Sequence, residues 1–110
     1  MTTENTETAP ELINGATDVN FQMYLEHLNV NFTKPYGTQA FGFMQGRKYI
    51  RVVAVSVGGG RSVHTFVDRT NGNILKSASW KQPETKNPRG NINNGPEGYG
   101  VTEYGAVYLR

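Results

Sequence analysis

Apolar residues along this chain change period once. From Asp18 to about Val30 they recur at helical spacing: Phe21, Leu25 and Leu28 stand at i, i+4 and i+7, with Tyr24 flanking the stripe. Asp18 suits the N-cap, because its carboxylate can accept from the unpaired amides of a first turn. Glu26 and His27 fall at the stripe's edge or face water, so His27 reads as a surface or packing residue. Pro35 and Gly37 mark a turn, and beyond them the period is that of strands.

Ala40, Phe41, Phe43 and Met44 form a short strand weakened by Gly42, and Gln45-Gly46 turns the chain. Lys48 to Val57 is the densest β-branched run, with Ile50, Val52 and Ala54 on one face and Tyr49, Arg51, Val53 and Val55 on the other. Apolar residues on both faces predict a central strand, or one face against a neighbouring subunit. Gly58-Gly59-Gly60 is a loop; without a GxxxxGK[ST] pattern or a following helix it is no phosphate cradle. In the next strand, Ser62 to Arg69, Val63, Thr65 and Val67 alternate with His64, Phe66 and Asp68. Asn71-Gly72 predicts a type I′ hairpin with both residues at positive φ, returning along Ile74 to Ser79 with Trp80 just past the strand. Residues 81–98 are rich in Pro, Asn and Gly, and Arg89 to Ile92 holds a short final strand. Residues 93–105 read as glycine-rich loop. The ending from Gly105 to Arg110 packs on the body or on a partner, since Tyr104, Val107, Tyr108 and Leu109 are not expected in water.

Composition narrows this picture. A chain of 110 residues makes one domain, small enough to bury part of its surface in an oligomer. Thirteen glycines and a mean hydropathy of −0.55 favour a turn-rich, mainly β domain over a helical bundle. The absence of cysteine excludes disulfides and thiolate metal sites and makes the cytoplasm the simplest setting. Two histidines, His27 and His64, are too few for a zinc site without an unusual set of carboxylates, so no metal is expected. No apolar run approaches a membrane span, and the first residues lack the basic and apolar regions of a secretory signal. Residues 1–17 are polar and aperiodic and read as a disordered, solubilising acidic tail.

Charge is divided unevenly. Residues 1–46 carry five acids and one base, a net of −4; residues 47–110 carry ten bases and four acids, a net of +6. A basic second half points to a polyanion. Arg47, Lys48, Arg51, Arg61, Arg69, Lys76, Lys81, Lys86 and Arg89 come with Trp80 and His64, and Lys and Arg neutralise phosphates while aromatic rings stack on unpaired bases. Without a recognition helix, single-stranded RNA or DNA suits the mixture better than duplex. Hydrolysis is not expected: His64 and Asp68 would lie about 13 Å apart along one strand face, too far for a hydrogen bond, and no cofactor motif is present. His64 is expected to be packed with a satisfied ring nitrogen, or to sit at a subunit interface.

Three runs carry a family resemblance: Tyr49-Ile50-Arg51-Val52-Val53; Ser62-Val63-His64-Thr65-Phe66-Val67-Asp68; and Lys76-Ser77-Ala78-Ser79-Trp80-Lys81-Gln82-Pro83 with Arg89-Gly90-Asn91-Ile92. With Asn20-Phe21 and the run from Tyr24 to Leu28, they resemble small Sm-like proteins of marine, cyanophage-like origin over roughly residues 19–92. The resemblance implies an N-terminal helix followed by a small, strongly bent five-stranded barrel, assembled as a homo-oligomeric ring. It divides the chain into a tail at 1–17, an Sm-like domain at 18–92 and an extension at 93–110. Nucleic-acid binding is suggested for such proteins from shape and charge; in Sm-like proteins an Arg-Gly or similar dipeptide in the late strand pair lies near the RNA site, a part the resemblance offers to Arg89-Gly90 without the spacing establishing it. The ligand-facing set expected is Arg61, Lys76, Trp80, Lys81, Lys86, Arg89 and Asn91. Trp80 has a competing role as a core residue capping the barrel. The competing function is a small structural or host-targeting phage protein that binds other proteins, with the residues from Tyr104 to Leu109 as a docking tail.

Overall fold

A computed structural model describes residues 15–106 of the chain. Helix α1 spans Gly15–Asn31, followed by strands β1 Thr38–Gln45, β2 Tyr49–Ser56, β3 Arg61–Asp68, β4 Asn73–Leu75 and β5 Gly90–Asn91. Two 3-10 turns at Ile92–Asn94 and Pro96–Gly98 lead to a small hairpin, β6 Val101–Thr102 and β7 Gly105–Ala106. The described residues are mainly β, with one α-helix ahead of a five-stranded antiparallel sheet whose strands follow chain order. β1 and β5 are its two edges and do not pair with each other, so the sheet is open rather than closed into a barrel.

Asp18 lies inside α1 rather than at its N-cap, because the helix already includes Gly15, Ala16 and Thr17. The acidic tail expected over 1–17 falls outside the described residues up to position 14, as do Val107, Tyr108 and Leu109. The buried stripe of α1 is Phe21, Tyr24 and Leu28, with Leu25 half-buried beside it. The stripe is thus rotated toward Tyr24 relative to the expected one. The reason is tertiary: the Tyr24 hydroxyl meets Thr65 inside the core, and its ring packs edge-on against Tyr99 at 4.9 Å. Burying each such side chain contributes about 1.5–3 kcal/mol.

β2 is central, between β1 and β3, as its two apolar faces predict. Ile50, Val52 and Ala54 face the core under α1, while Val53 is buried on the opposite face. β3 does not alternate throughout. Thr65 pairs with Val52 and Val63 with Val53, which leaves His64 as the extra residue of a β-bulge. His64, Thr65, Phe66 and Val67 are consequently buried in succession.

The Asn-Gly hairpin forms, but not as a type I′ turn. Gly72 has φ 82, whereas no non-glycine residue has positive φ among the described residues. Asp68 starts a longer loop: its carboxylate accepts from the Thr70 amide and hydroxyl at 2.8 and 2.6 Å, and the Gly72 amide donates back to the Asp68 carbonyl. β4 ends at Leu75, short of the expected Ser79, and residues 76–89 leave the sheet as a loop. That loop is closed by its own bonds, Glu84 amide to Lys76 carbonyl and the Ala78 and Ser79 amides to the Gln82 carbonyl.

Both sheet edges are covered in part. On β1, the Asn29 side chain accepts from the Phe41 amide at 2.9 Å and donates to the Phe41 carbonyl at 3.1 Å, copying a strand partner. Beside β5, Gly90 lies so close to the Tyr99 backbone that a Cβ at Gly90 would overlap it. Ile92 and Tyr99 are buried in the main core and Val101 packs against it, so the stretch from Ile92 to Val101 is built into the body, whereas Tyr104, expected to be kept from water, is exposed at the tip of the small hairpin.

Candidate nucleic-acid interface

α1 covers one face of the sheet; the other carries Arg51. Across β1, β2 and β3 the ladder aligns Met44, Arg51 and Phe66. Phe66 is buried and Arg51 half-buried, and the Arg51 guanidinium lies 5.8 Å from the Phe66 ring centre. The loop after β4 brings Trp80 onto this face. Arg51 Nε donates to the Trp80 carbonyl at 2.7 Å, and its guanidinium stands 5.1 Å from the Trp80 ring centre. The Arg61 guanidinium approaches the same ring at 5.8 Å. Trp80 remains 39% exposed. The alternative expected of it, a core residue capping a barrel, is therefore not what this fold makes: the chain leaves the sheet at Leu75, so Trp80 stands at a loop tip beside arginines. Contacts of this kind contribute about 0.5–1 kcal/mol each at exposed sites and orient the ring.

Next to Trp80 lies a groove of about 270 Å³ between the β1–β2 turn and the loop tip. Arg47, Lys48, Arg51 and Lys81 line it, with Tyr49 and Phe66. No carboxylate lines it among the described residues. Asp68, opposite Tyr49 in the ladder, gives its carboxylate to Thr70. Arg69 holds the turn from behind, donating through one terminal nitrogen to the Gly46 and Arg47 carbonyls at 2.9 and 3.0 Å.

The seven residues expected to face a ligand divide. Arg61, Trp80 and Lys81 come together on this face. Lys86 is exposed further along the same loop, and Lys76 is half-buried at its base. Arg89 and Asn91 serve the fold instead. The Arg89 side chain is 6% exposed and pairs with Glu84 at 2.9 Å. Asn91 donates to the Asn71 carbonyl and the Asn73 side chain and caps the following 3-10 turn by accepting from the Asn93 amide. Gly90 is required by its approach to Tyr99, which accounts for the Arg-Gly dipeptide structurally. Arg47, Lys48 and Arg51 belong to the groove, although of the basic residues they stand outside the expected ligand-facing set. Alternation on β2 already set Arg51 opposite the core face, but its meeting with Trp80, 29 residues on, is purely tertiary.

A second polar cluster is internal. Tyr24 Oη lies 2.6 Å from Thr65 Oγ1, which lies 3.2 Å from His64 Nδ1, while His64 Nε2 lies 2.7 Å from the Thr102 carbonyl oxygen. The carbonyl can only accept, so Nε2 carries a proton. In the neutral ring Nδ1 then accepts from Thr65, which accepts from Tyr24. Burial lowers the His64 pKa below the ordinary histidine value, against the pull of the Thr102 carbonyl. Burial pushes the Tyr24 phenol far up, a rise the bond to Thr65 reduces. His64 is thus packed with both ring nitrogens bonded. His27 packs edge-on against Phe32 and Tyr99 at 5.7 and 5.3 Å. No group of three or more His, Cys, Asp or Glu that could hold a metal occurs among the described residues, and no described helix is long and apolar enough to cross a membrane.

Comparison with curated proteins and with solved structures found no match. The model of a family of unknown function, DUF7717, matches residues 3–105, nearly the full length, and the chain belongs to that family.

Proposed function

We propose that this chain binds single-stranded nucleic acid, without catalysis, on the sheet face where Trp80 stands beside Arg51 and Arg61. The observation that carries the reading is the exposure of the chain's one tryptophan beside two guanidiniums. An exposed aromatic among cations offers stacking worth about 1–3 kcal/mol per base, together with phosphate contacts. Duplex is disfavoured because the helix lies on the opposite side of the sheet and is spent on the core. The proposal includes an Sm-like, ring-forming particle of phage origin, as the resemblance implies; a helix followed by five antiparallel strands supports it. Several copies side by side would multiply weak contacts.

Titration of Trp80 fluorescence with single-stranded RNA, single-stranded DNA and duplex across salt tests the binding. Neutralising three phosphates predicts a slope of log K against log salt of about −2. Trp80→Ala should weaken binding to RNA and DNA alike. Unmoved fluorescence and no binding at low salt would remove the proposal. Light scattering reads the ring, and a monomer at working concentration would remove that part alone.

A further inference from the structure

Resting on the nucleic-acid reading, we infer that the groove beside Trp80 is a site for the phosphate monoester of a nucleotide, the end of a strand rather than its interior. The groove is small: about 270 Å³ holds roughly one nucleotide unit, below the range of about 300–1,000 Å³ typical of sites for larger ligands. Its charge exceeds what one internal linkage needs. Four cations, Arg47, Lys48, Arg51 and Lys81, border it without a carboxylate among its lining residues. An internal phosphodiester brings one negative charge. A terminal phosphate brings about 1.5–2 near neutral pH and three acceptor oxygens.

Position adds the second argument. Arg51 lines the groove and also lies against Trp80, so one guanidinium spans the phosphate site and the stacking ring. A terminal phosphate held by Lys48, Arg51 and Lys81 leaves its nucleoside directed at Trp80. Tyr49 and Phe66, packed edge-on at 6.4 Å, give the groove an apolar side that suits a ribose better than a second phosphate. The turn that presents Arg47 and Lys48 is tied back by Arg69, so the cations start from a braced backbone.

The same chemistry is offered by a phosphorylated strand end and by a free nucleotide, and the probes separate them. Trp80 fluorescence is titrated with inorganic phosphate, adenosine monophosphate, and one short single-stranded sequence ending in hydroxyls, in a 5′-phosphate or in a 3′-phosphate. A phosphorylated end is expected to bind about tenfold more tightly than the hydroxyl-ended strand, the worth of about one added charge-assisted hydrogen bond. In Lys48→Ala/Lys81→Ala that advantage should vanish, while Lys34→Ala, away from the groove, should retain it. Adenosine monophosphate binding as tightly as the phosphorylated strand also supports the groove, with the free nucleotide as its occupant. Equal binding of all strands in the unsubstituted protein, with no response to the monophosphate, would overturn the inference and leave nucleic-acid binding standing. No binding of any strand at low salt would remove the underlying function itself.

Discussion

Replacing Thr65 with valine removes one hydroxyl and keeps the shape of a fully buried side chain. In the intact protein that hydroxyl accepts from Tyr24 and donates to His64 Nδ1. Valine leaves two polar atoms in the core without their partner, a phenolic donor and an imidazole acceptor. Each such orphan costs about 1–3 kcal/mol, so with two of them Thr65→Val is expected to lose about 2–6 kcal/mol. For a domain of this size that lowers the melting temperature by about 10 °C or more. Tyr24→Phe should cost less, about 1 kcal/mol, because Thr65 can still donate to His64. The decisive quantity is the double variant. Once Thr65→Val has been made, the phenol is already an orphan, so adding Tyr24→Phe should be neutral or stabilising, and the two losses should fall short of additivity by about 1 kcal/mol or more. Urea unfolding followed by far-ultraviolet circular dichroism, on all four proteins, reads this directly. Strict additivity, or a Thr65→Val loss under about 0.5 kcal/mol, would refute the assigned chain of hydrogen bonds.

Other consequences follow from the same geometry. His64 is held neutral by burial, so its folded pKa lies below the unfolded value of about 6.5. The unfolded chain then binds the proton first: His64's contribution to stability is whole above about pH 6.5 and is lost as pH falls toward the folded value, and a flat urea midpoint between about pH 7.5 and 5 would count against it. Asn29→Ala frees the amide and carbonyl of Phe41 on the β1 edge; the expected loss is about 1–2 kcal/mol, with concentration-dependent association in size-exclusion chromatography. Gly90→Ala drives a methyl into the Tyr99 backbone and should cost about 2 kcal/mol or more, while Gly42→Ala, with open space at its Cβ, should cost little in the same thermal melt. Glu84→Ala leaves the buried Arg89 guanidinium, whose Nε already lacks a partner, without its carboxylate; a loss of about 1–3 kcal/mol is expected, and an unchanged melt would mean that the pair does not hold the loop.

What the order of residues determined by itself is the element plan. Helical spacing at Phe21 and Leu28, β-branched density in Tyr49–Ser56 and the turn residues around Gly72 are local signals, so a helix and about five antiparallel strands were legible, as was a basic second half. Other features depended on partners far along the chain. The buried stripe of α1 turned toward Tyr24 because a hydroxyl 41 residues away completes its hydrogen bond. The bulge at His64 overrode strict alternation, since an extra residue can be seen only from the strand beside it. Arg89 and Asn91 read as ligand-facing because cationic and amide side chains are usually exposed, yet here Glu84 and the Asn71–Asn73 turn claim them. The pairing of Arg51 with Trp80, and the groove it borders, arose only when the loop after Leu75 folded back over β2. Charge and aromatic content are properties of composition; which cations surround which ring is a property of long-range packing, and the tertiary structure alone decided it.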